Sequence, residues 1–254
     1  MYPELFRIGK ITIHSYGFFY ALAFLIGILT SLYFARKENI KSEVILDLSF
    51  YVIISAIIGA RLFYILGQWS YYQKNIIEIF MLQRGGLVFL GGFLVAFFAI
   101  LLYCRVKKIN TLKLLDTISP GVILGYAIGR IGCFLNGCCF GLPTKLPWGM
   151  IFPPNSLAGF QFPNQPLHPT QLYASFSMFF AFLILVVLYL AKKFDGQIFL
   201  WGIILYSLYR FLVEFLRYSP IHWLGLTPSQ WLVAVFFVAA GLGLIYYSKV
   251  QQVK

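Results

Sequence analysis

Residues 121–141 read GVILGYAIGRIGCFLNGCCFG, an apolar stretch that carries one arginine, one asparagine and three cysteines. Its glycines at 121, 125 and 129 recur every fourth residue, so on a helix they share one face and let a neighbouring backbone approach closely. Arg130 follows that face directly. A guanidinium stays charged at this depth and needs a carboxylate, carbonyl groups, water or an anionic ligand. The stretch therefore predicts a membrane helix that carries a site.

The composition of the whole chain agrees with a membrane protein. Of its 254 residues, 60% are hydrophobic and 11% are charged. Long apolar runs joined by short basic loops predict an all-α, polytopic integral membrane protein, because the runs are too long for barrel strands. The first ten residues lack the pattern of a cleavable signal, so we expect the first membrane helix to direct insertion. We expect a single transmembrane domain over residues 1–254.

About seven segments have the roughly 20 apolar residues that a membrane-spanning helix needs. They are Tyr16–Ala35, Val44–Leu66, Leu87–Cys104, Leu114–Leu135, Leu172–Ala191, Ile198–Leu216 and Trp231–Tyr247. The connection at 142–170, rich in proline and glycine, is expected on the outer face of the membrane.

The basic residues indicate how the chain crosses the membrane. Eleven of the 20 lie after the first, third, fifth and seventh segments, and six lie on the opposite side. The positive-inside rule therefore predicts an outer N-terminus and a cytoplasmic C-terminus. Since these residues are scattered over short loops, the net charge of +12 does not indicate binding to nucleic acid.

Three arginines remain within or at the ends of the apolar segments. Arg61, Arg130 and Arg210 lie late in the second, fourth and sixth segments, so we expect them to converge toward the outer leaflet. Glu214 follows Arg210 by four residues, which suits either a structural ion pair or a catalytic role. Bidentate donors at this depth suit a phosphate, so the arginines predict a site for an anionic lipid headgroup. The alternative is that helix-end carbonyls or snorkelling satisfy them.

Other residues at the outer ends of the segments are candidates for the same site. His168 and Gln171 precede the fifth segment, and His168 could carry a proton, although its His-Pro-Thr sequence also suits a turn and a helix cap. Gly91 and Gly92 allow close approach of a ligand or of another helix. Tyr16 has the position of an interface anchor.

The cysteines allow several interpretations. Cys133, Cys138 and Cys139 could bind a soft metal together with His168, and Cys138 could be a transient acyl acceptor. The C-x4-C-C spacing is not a familiar zinc pattern, so small buried cysteines without chemistry are the favoured interpretation and no metal is expected. Cys138 and Cys139 are adjacent, which disfavours an ordinary structural disulfide between them.

Six motifs, in order along nearly the whole chain, resemble those of the prolipoprotein diacylglyceryl transferase family. They are SYGFFYALAF at 15–24, GARLFY at 59–64, RGGLVFLGG at 84–92, GRIGCFLNGCCFG at 129–141, HPTQLY at 168–173 and YRFLVEFLR at 209–217. The resemblance implies transfer of a diacylglyceryl group from phosphatidylglycerol to the lipobox cysteine thiol of a prolipoprotein, with glycerol phosphate leaving. It also implies a bacterial inner-membrane enzyme among membrane lipids, without a metal or diffusible cofactor, and we expect a monomer.

The motifs and the charge pattern together assign roles to individual residues. Expected catalytic residues are Arg130, Arg210, Glu214, Tyr16 and His168. Expected substrate-binding residues are Arg61, Arg84, Gly91, Gly92, Asn136, Gln171 and Tyr173.

The chain also departs from the family pattern. Cys133 and Cys138 stand where the signature commonly has asparagine and glutamate, Leu90 where a histidine is usual, and Ala174 where a glutamate is usual. The proton acceptor is therefore open among His168, Glu214 and Tyr16, or the thiol arrives as a thiolate drawn by the arginines. Two alternatives follow: a related transferase with a different acceptor, or a lipid-binding membrane protein that lacks the chemistry.

Overall fold

Seven long apolar helices dominate the chain in its computed structural model, which describes residues 4–9, 11–81 and 85–252. They are α1 (Ser15–Lys37), α2 (Ser42–Gly67), α4 (Phe89–Lys107), α5 (Thr111–Asn136), α7 (Thr170–Leu190), α8 (Gln197–Glu214) and α9 (Pro228–Gln252). Each is long and apolar enough to cross a membrane. The predicted all-α polytopic membrane class is therefore confirmed.

Short elements lie before and between the membrane-spanning helices, and the hydropathy pattern did not predict them. Strands β1 (Glu4–Ile8) and β2 (Ile11–His14) pair in an antiparallel hairpin before α1. The short helix α3 (Trp69–Tyr72) and a 3-10 turn at Ile76–Phe80 follow α2, and α6 (Leu157–Gln161) lies in the connection before α7. Elements of four or five residues bury too little apolar surface to leave a periodic signal in sequence.

The described chain forms two compact units, residues 1–34 with 115–254 and residues 35–114. In the second unit α2 packs against α4 through glycines. A Cβ on Gly59 would lie 2.6 Å from the Cβ of Val95, and one on Gly92 would lie 2.8 Å from the carbonyl oxygen of Ala56. Only glycine allows the two backbones to approach this closely. The prediction of one transmembrane domain stays a prediction.

In the first unit the glycine face of α5 contacts α1. A Cβ on Gly121 would lie 2.5 Å from the hydroxyl oxygen of Ser31, and one on Gly125 would lie 2.9 Å from the carbonyl oxygen of Ala23. The close helix contact expected from the spacing of these glycines is confirmed. It places the following turns of α5, which carry Arg130, beside the N-terminal half of α1.

A buried carboxylate joins α5 to the start of α8. The side chain of Asp116 is fully buried and accepts hydrogen bonds from the backbone amides of Gly196 at 2.7 Å and Phe199 at 2.9 Å. The ammonium of Lys192 lies 3.2 Å from the same carboxylate. Amides at a helix N-terminus lack intrahelical partners, so a carboxylate there satisfies them and complements the helix dipole.

The connection at 142–170 has a small core of its own. Phe140, Phe152, Ala158 and Leu167 are buried together, and Leu167 pairs with Met150 by backbone hydrogen bonds in both directions. Further backbone bonds join Gly141 and Leu142 to the segments around His168 and Leu216. The end of α5, the start of α7 and the end of α8 are therefore tied together at one end of this unit.

Candidate active site

Arg130 lies two turns from the end of α5 and is half-buried. Its guanidinium carbon lies 4.5 Å from the centre of the Tyr126 ring, one turn earlier on the same helix. Within residues 4–9, 11–81 and 85–252, no ion pair of this guanidinium within 4.0 Å is seen. The aromatic face compensates the charge only in part. Arg130 is therefore a cation with donors available to an anionic ligand.

Arg210 and Glu214 form the i,i+4 ion pair that their spacing allowed. A guanidinium nitrogen of Arg210 lies 2.9 Å from the carboxylate, which is almost fully buried. The other carboxylate oxygen accepts a hydrogen bond from the hydroxyl of Thr227 at 3.1 Å, and Arg217 approaches within 3.7 Å. Glu214 thus holds Arg210 in one orientation and brings a second arginine beside it.

The position of Thr227 follows from a local sequence signal. The segment Thr227-Pro-Ser-Gln230 opens α9 with reciprocal hydrogen bonds: the Gln230 side-chain oxygen accepts from the Thr227 amide at 2.8 Å, and the Thr227 hydroxyl accepts from the Gln230 amide at 3.3 Å. This is a capping box. It fixes the hydroxyl that supports Glu214.

A group of tyrosines connects the two arginines. Tyr126, Tyr206 and Tyr209 each lie within electrostatic reach of both Arg130 and Arg210, and the rings of Tyr126 and Tyr206 meet edge to face at 5.5 Å. The sequence interpretation missed these tyrosines. Their signal was the spacing of Tyr126 one turn before Arg130 and of Tyr206 one turn before Arg210.

The three cysteines after Arg130 converge. The Sγ atoms of Cys133, Cys138 and Cys139 lie within 4.8 Å of one another. Cys139 has a left-handed backbone with φ of 59°, which is strained for a residue with a side chain. The Thr170 hydroxyl donates to its carbonyl at 2.9 Å, and the Gln171 amide donates to the carbonyl of Cys138 at 2.7 Å. The start of α7 therefore fixes the turn and the directions of the thiols, which spacing alone could not reveal.

The charge environment of the three thiols is uneven. Hydrogen bonds from the Cys133 and Cys138 thiols, with smaller effects from the positive charges of Arg130 and Arg217, lower the pKa of the Cys139 thiol. The same sharing raises the pKa of Cys138, because a second thiolate beside the first is unfavourable. The pKa of the Cys139 thiol is thus shifted in the direction opposite to that of Cys138.

Tyr16 lies at the start of α1 beside this cluster. Its ring is 4.4 Å from that of Tyr20, whose hydroxyl lies 3.8 Å from the sulfur of Cys133. A Cβ on Gly132 would contact the Tyr16 carbonyl oxygen at 3.4 Å, so α5 passes directly against the backbone there. Tyr16 thus lies one helical turn before the tyrosine that contacts Cys133, with its own backbone against Gly132.

His168 and Tyr173 form a short hydrogen-bonded chain at the start of α7. The His168 ring nitrogen Nδ1 lies 3.3 Å from the Tyr173 hydroxyl, which accepts a hydrogen bond from the indole of Trp148 at 2.8 Å. The His168 backbone bonds to Gly141 and Leu142 beside the cysteine turn. Gln171 is almost fully buried under that turn, and Asn136 is the last residue of α5.

Arg61 lies in the second unit, where backbone carbonyls surround it. Its Nε donates to the carbonyl of Ile79 at 2.9 Å and its Nη1 to that of Gly85 at 2.7 Å. Its Nη2 donates to the carbonyls of Glu78 and Met81. All three nitrogens of this buried arginine are thus engaged, as the carbonyl alternative anticipated. The convergence of Arg61 with the other two arginines stays a prediction.

The remaining expected ligand-binding residues also belong to residues 35–114. Arg84 lies outside the described residues. Gly91 packs against α2, because a Cβ there would meet the side chain of Phe63, and Gly92 does the same at Ala56. The structure supports the packing interpretation of both glycines, and their contact with substrate stays a prediction.

Comparison with known proteins agrees with the motifs. A family model described as prolipoprotein diacylglyceryl transferase matches residues 3–247. Proteins named phosphatidylglycerol–prolipoprotein diacylglyceryl transferase are similar to the chain. The one from Finegoldia magna is 38% identical over 98% of this chain and 96% of its own length. That from Acaryochloris marina is 37% identical over 96% and 88%, and that from Clostridioides difficile 33% over 96% and 94%.

Proposed function

Because the chain belongs to the prolipoprotein diacylglyceryl transferase family, we propose that it transfers a diacylglyceryl group from phosphatidylglycerol to the lipobox cysteine thiol of prolipoproteins. Glycerol phosphate is the leaving group. The names of its relatives state the donor and the acceptor class, and those relatives align over nearly the full length of the chain.

The observation that carries this proposal is the contrast in how the charges of the first unit are compensated. Arg130 lies against the Tyr126 ring and has no carboxylate within 4.0 Å among the described residues, whereas Glu214 orients Arg210. A phosphodiester provides the bidentate acceptor that such guanidinium groups lack. In a site poor in water, each hydrogen bond to that phosphate is stronger than it would be in solution.

During the reaction negative charge develops on the phosphate, which we propose is bound by these arginines. The acceptor thiolate attacks the glyceryl carbon, a carbon–sulfur bond forms, and the carbon–oxygen bond to phosphate breaks with its electron pair on the departing oxygen. Arg130 and Arg210 stabilise the negative charge that develops on the phosphate. Glu214 positions Arg210, while Tyr16 and the His168–Tyr173 pair are the groups we propose to relay the thiol proton to water.

Asn136 and Gln171 border the cysteine turn. Contributions of Arg61, Arg84, Gly91 and Gly92 to lipid binding belong to the proposal as expectations from the family motifs. The enzyme is a monomer in the bacterial inner membrane, with its N-terminus outside, its C-terminus cytoplasmic and its site at the outer leaflet. The excess of basic residues on alternate loops supports this orientation.

The direct test is mass spectrometry of a lipobox peptide incubated with phosphatidylglycerol and the purified full-length protein. We expect a diacylglyceryl adduct on the cysteine and none on a matched peptide with serine in its place. The variant R36A is the matched control, because Arg36 is an exposed arginine in the last turn of α1. It should form the adduct at the wild-type rate.

The same assay separates the alternatives. Adduct on a different acceptor, with the lipobox peptide unmodified, would favour a related transferase. Binding of phosphatidylglycerol without any adduct would favour a lipid-binding protein. Either result would overturn the proposed activity.

A further inference from the structure

The turn that carries Cys138 and Cys139 is held by specific hydrogen bonds from α7 as well as by packing. The sulfurs of Cys133, Cys138 and Cys139 converge at this turn, in which Cys139 has a left-handed backbone. The Thr170 and Gln171 side chains donate to the carbonyls of Cys139 and Cys138. We propose that these three thiolates bind one soft, divalent d10 metal ion of the zinc type, whose fourth coordination position takes the acceptor thiol. The sequence raised a soft metal here but disfavoured it, because C-x4-C-C is not a familiar zinc pattern and the contacts with α7 are not visible in sequence.

The distances suit such an ion. At a metal–sulfur bond of about 2.3 Å, three thiolates around one ion lie about 4 Å apart. The sulfurs here lie within 4.8 Å of one another. Side-chain rotations that move each sulfur atom by less than about 1 Å would bring them to the spacing of a metal site. Cys133 and Cys139 are buried or half-buried, which protects the ion from exchange with solvent.

The ligand type and the surrounding charge select the class of ion. Thiolates prefer soft ions over magnesium or calcium, which take oxygen ligands. Three thiolates and a divalent ion carry one net negative charge. Arg130 and Arg217, the two cations within electrostatic reach of Cys139, are placed to compensate it.

The coordination number indicates a role in the reaction. Zinc sites with three protein ligands and one open position are typical of catalysis, whereas structural sites are closed by four. A thiol that occupies the open position loses its proton to water and is held as a thiolate.

This role rests on the proposed transferase function. The metal-held sulfur attacks the glyceryl carbon, the bond from that carbon to the phosphate oxygen breaks, and glycerol phosphate leaves with the electron pair. The thioether product is a weak ligand and dissociates, and no oxidation or reduction occurs. The nucleophile would then be generated a short distance along α5 from the arginine that binds the leaving phosphate.

The test uses Co²⁺ as the probe, because its visible absorption reports tetrahedral thiolate coordination. We expect the purified full-length protein to bind one Co²⁺ per chain with such a spectrum. We expect C139S to bind at least about 100-fold more weakly, since loss of an outer-shell partner alone costs 10- to 100-fold. The control C104A, which removes a buried cysteine of the second unit, should bind as the wild type does.

Adding the acceptor peptide decides the fourth position. A lipobox peptide with its cysteine should shift the Co²⁺ spectrum, and the peptide with serine should not. An unchanged spectrum, failure to bind Co²⁺, or equal binding by C139S overturns the proposal. Full transfer activity by protein stripped of metal also overturns it while supporting the proposed function. Co²⁺ binding with a peptide-dependent shift but no transfer supports the metal site and overturns the transferase assignment.

Discussion

Arg61 and Arg130 are both arginines on apolar helices, yet their surroundings differ in kind. Arg61 is buried, and its three guanidinium nitrogens donate hydrogen bonds to carbonyls of the segment that follows α2. Arg130 lies over one aromatic ring and has no described carboxylate beside it. A cation satisfied by its own backbone stabilises the fold, whereas one left with free donors is suited to a ligand. Position along a helix did not distinguish the two.

The largest expected effect is the loss of transfer activity when Arg130 is removed. We expect R130A to lower the rate of diacylglyceryl transfer by about 10²- to 10³-fold, the usual cost of removing one donor to a developing charge. Its thermal unfolding in detergent should match that of the wild type, because no ion pair is lost. Wild-type turnover by R130A would contradict the phosphate-binding role.

Arg61 should respond in the opposite way. We expect R61A to lower the free energy of unfolding by about 3 kcal/mol, because buried carbonyls lose their donor. Limited proteolysis should then cut first near residues 78–81 and 85–86, because Arg61 binds carbonyls in both stretches. R36A again serves as the control. If R61A were as stable as the wild type but inactive, Arg61 would belong with Arg130.

A smaller effect concerns the glycines of the second unit. We expect G91A to lower the free energy of unfolding by about 1–3 kcal/mol, the cost of overpacking, because its Cβ would meet Phe63. The matched control is G67A, where a Cβ meets nothing within 4 Å. Thermal unfolding of the two variants measures the difference. A fully stable G91A with weakened lipid binding would favour the ligand-contact interpretation.

The smallest effect should come from the partner of Arg210. E214Q retains the shape of the side chain and an oxygen that can accept from Thr227, but it removes the charge that orients Arg210. We expect transfer to slow about tenfold, less than the 10²-fold that a 1 Å misplacement of a catalytic group can cause. The rate at saturating phosphatidylglycerol measures this. An unchanged rate would leave the ion pair with a structural role only.

The parts of this fold that sequence could predict are those that hydropathy and spacing encode. Seven apolar runs became seven helices, the fourfold glycine spacing became a helix contact, and Arg210 found Glu214 one turn away. Such features depend on neighbours within a few residues or on the membrane itself. The quoted motifs contain Cys133, Cys139 and Tyr209, which lie around Arg130, but not Tyr126.

The parts that could not be predicted depend on contacts between distant segments. Arg61 donates to carbonyls 17 to 25 residues away, in a segment without a periodic pattern. The Cys139 turn depends on hydrogen bonds from α7, 31 residues further along the chain. The sequence displayed the cysteines, but only this tertiary support explains why their sulfurs meet.

The buried Asp116 fixes the position of α5 along its axis relative to α8. It fixes a point on α5 to the amide of Gly196 at the start of α8, and both helices then run in the same direction across the membrane. Arg130 follows Asp116 by fourteen residues, and Arg210 follows Gly196 by fourteen. At 1.5 Å per residue, both arginines stand about 21 Å above this contact. An insertion of one residue between Asp116 and Arg130, or between Gly196 and Arg210, would move that arginine by about 1.5 Å along the helix and about 100° around it, so the two guanidinium groups would lie at unequal heights.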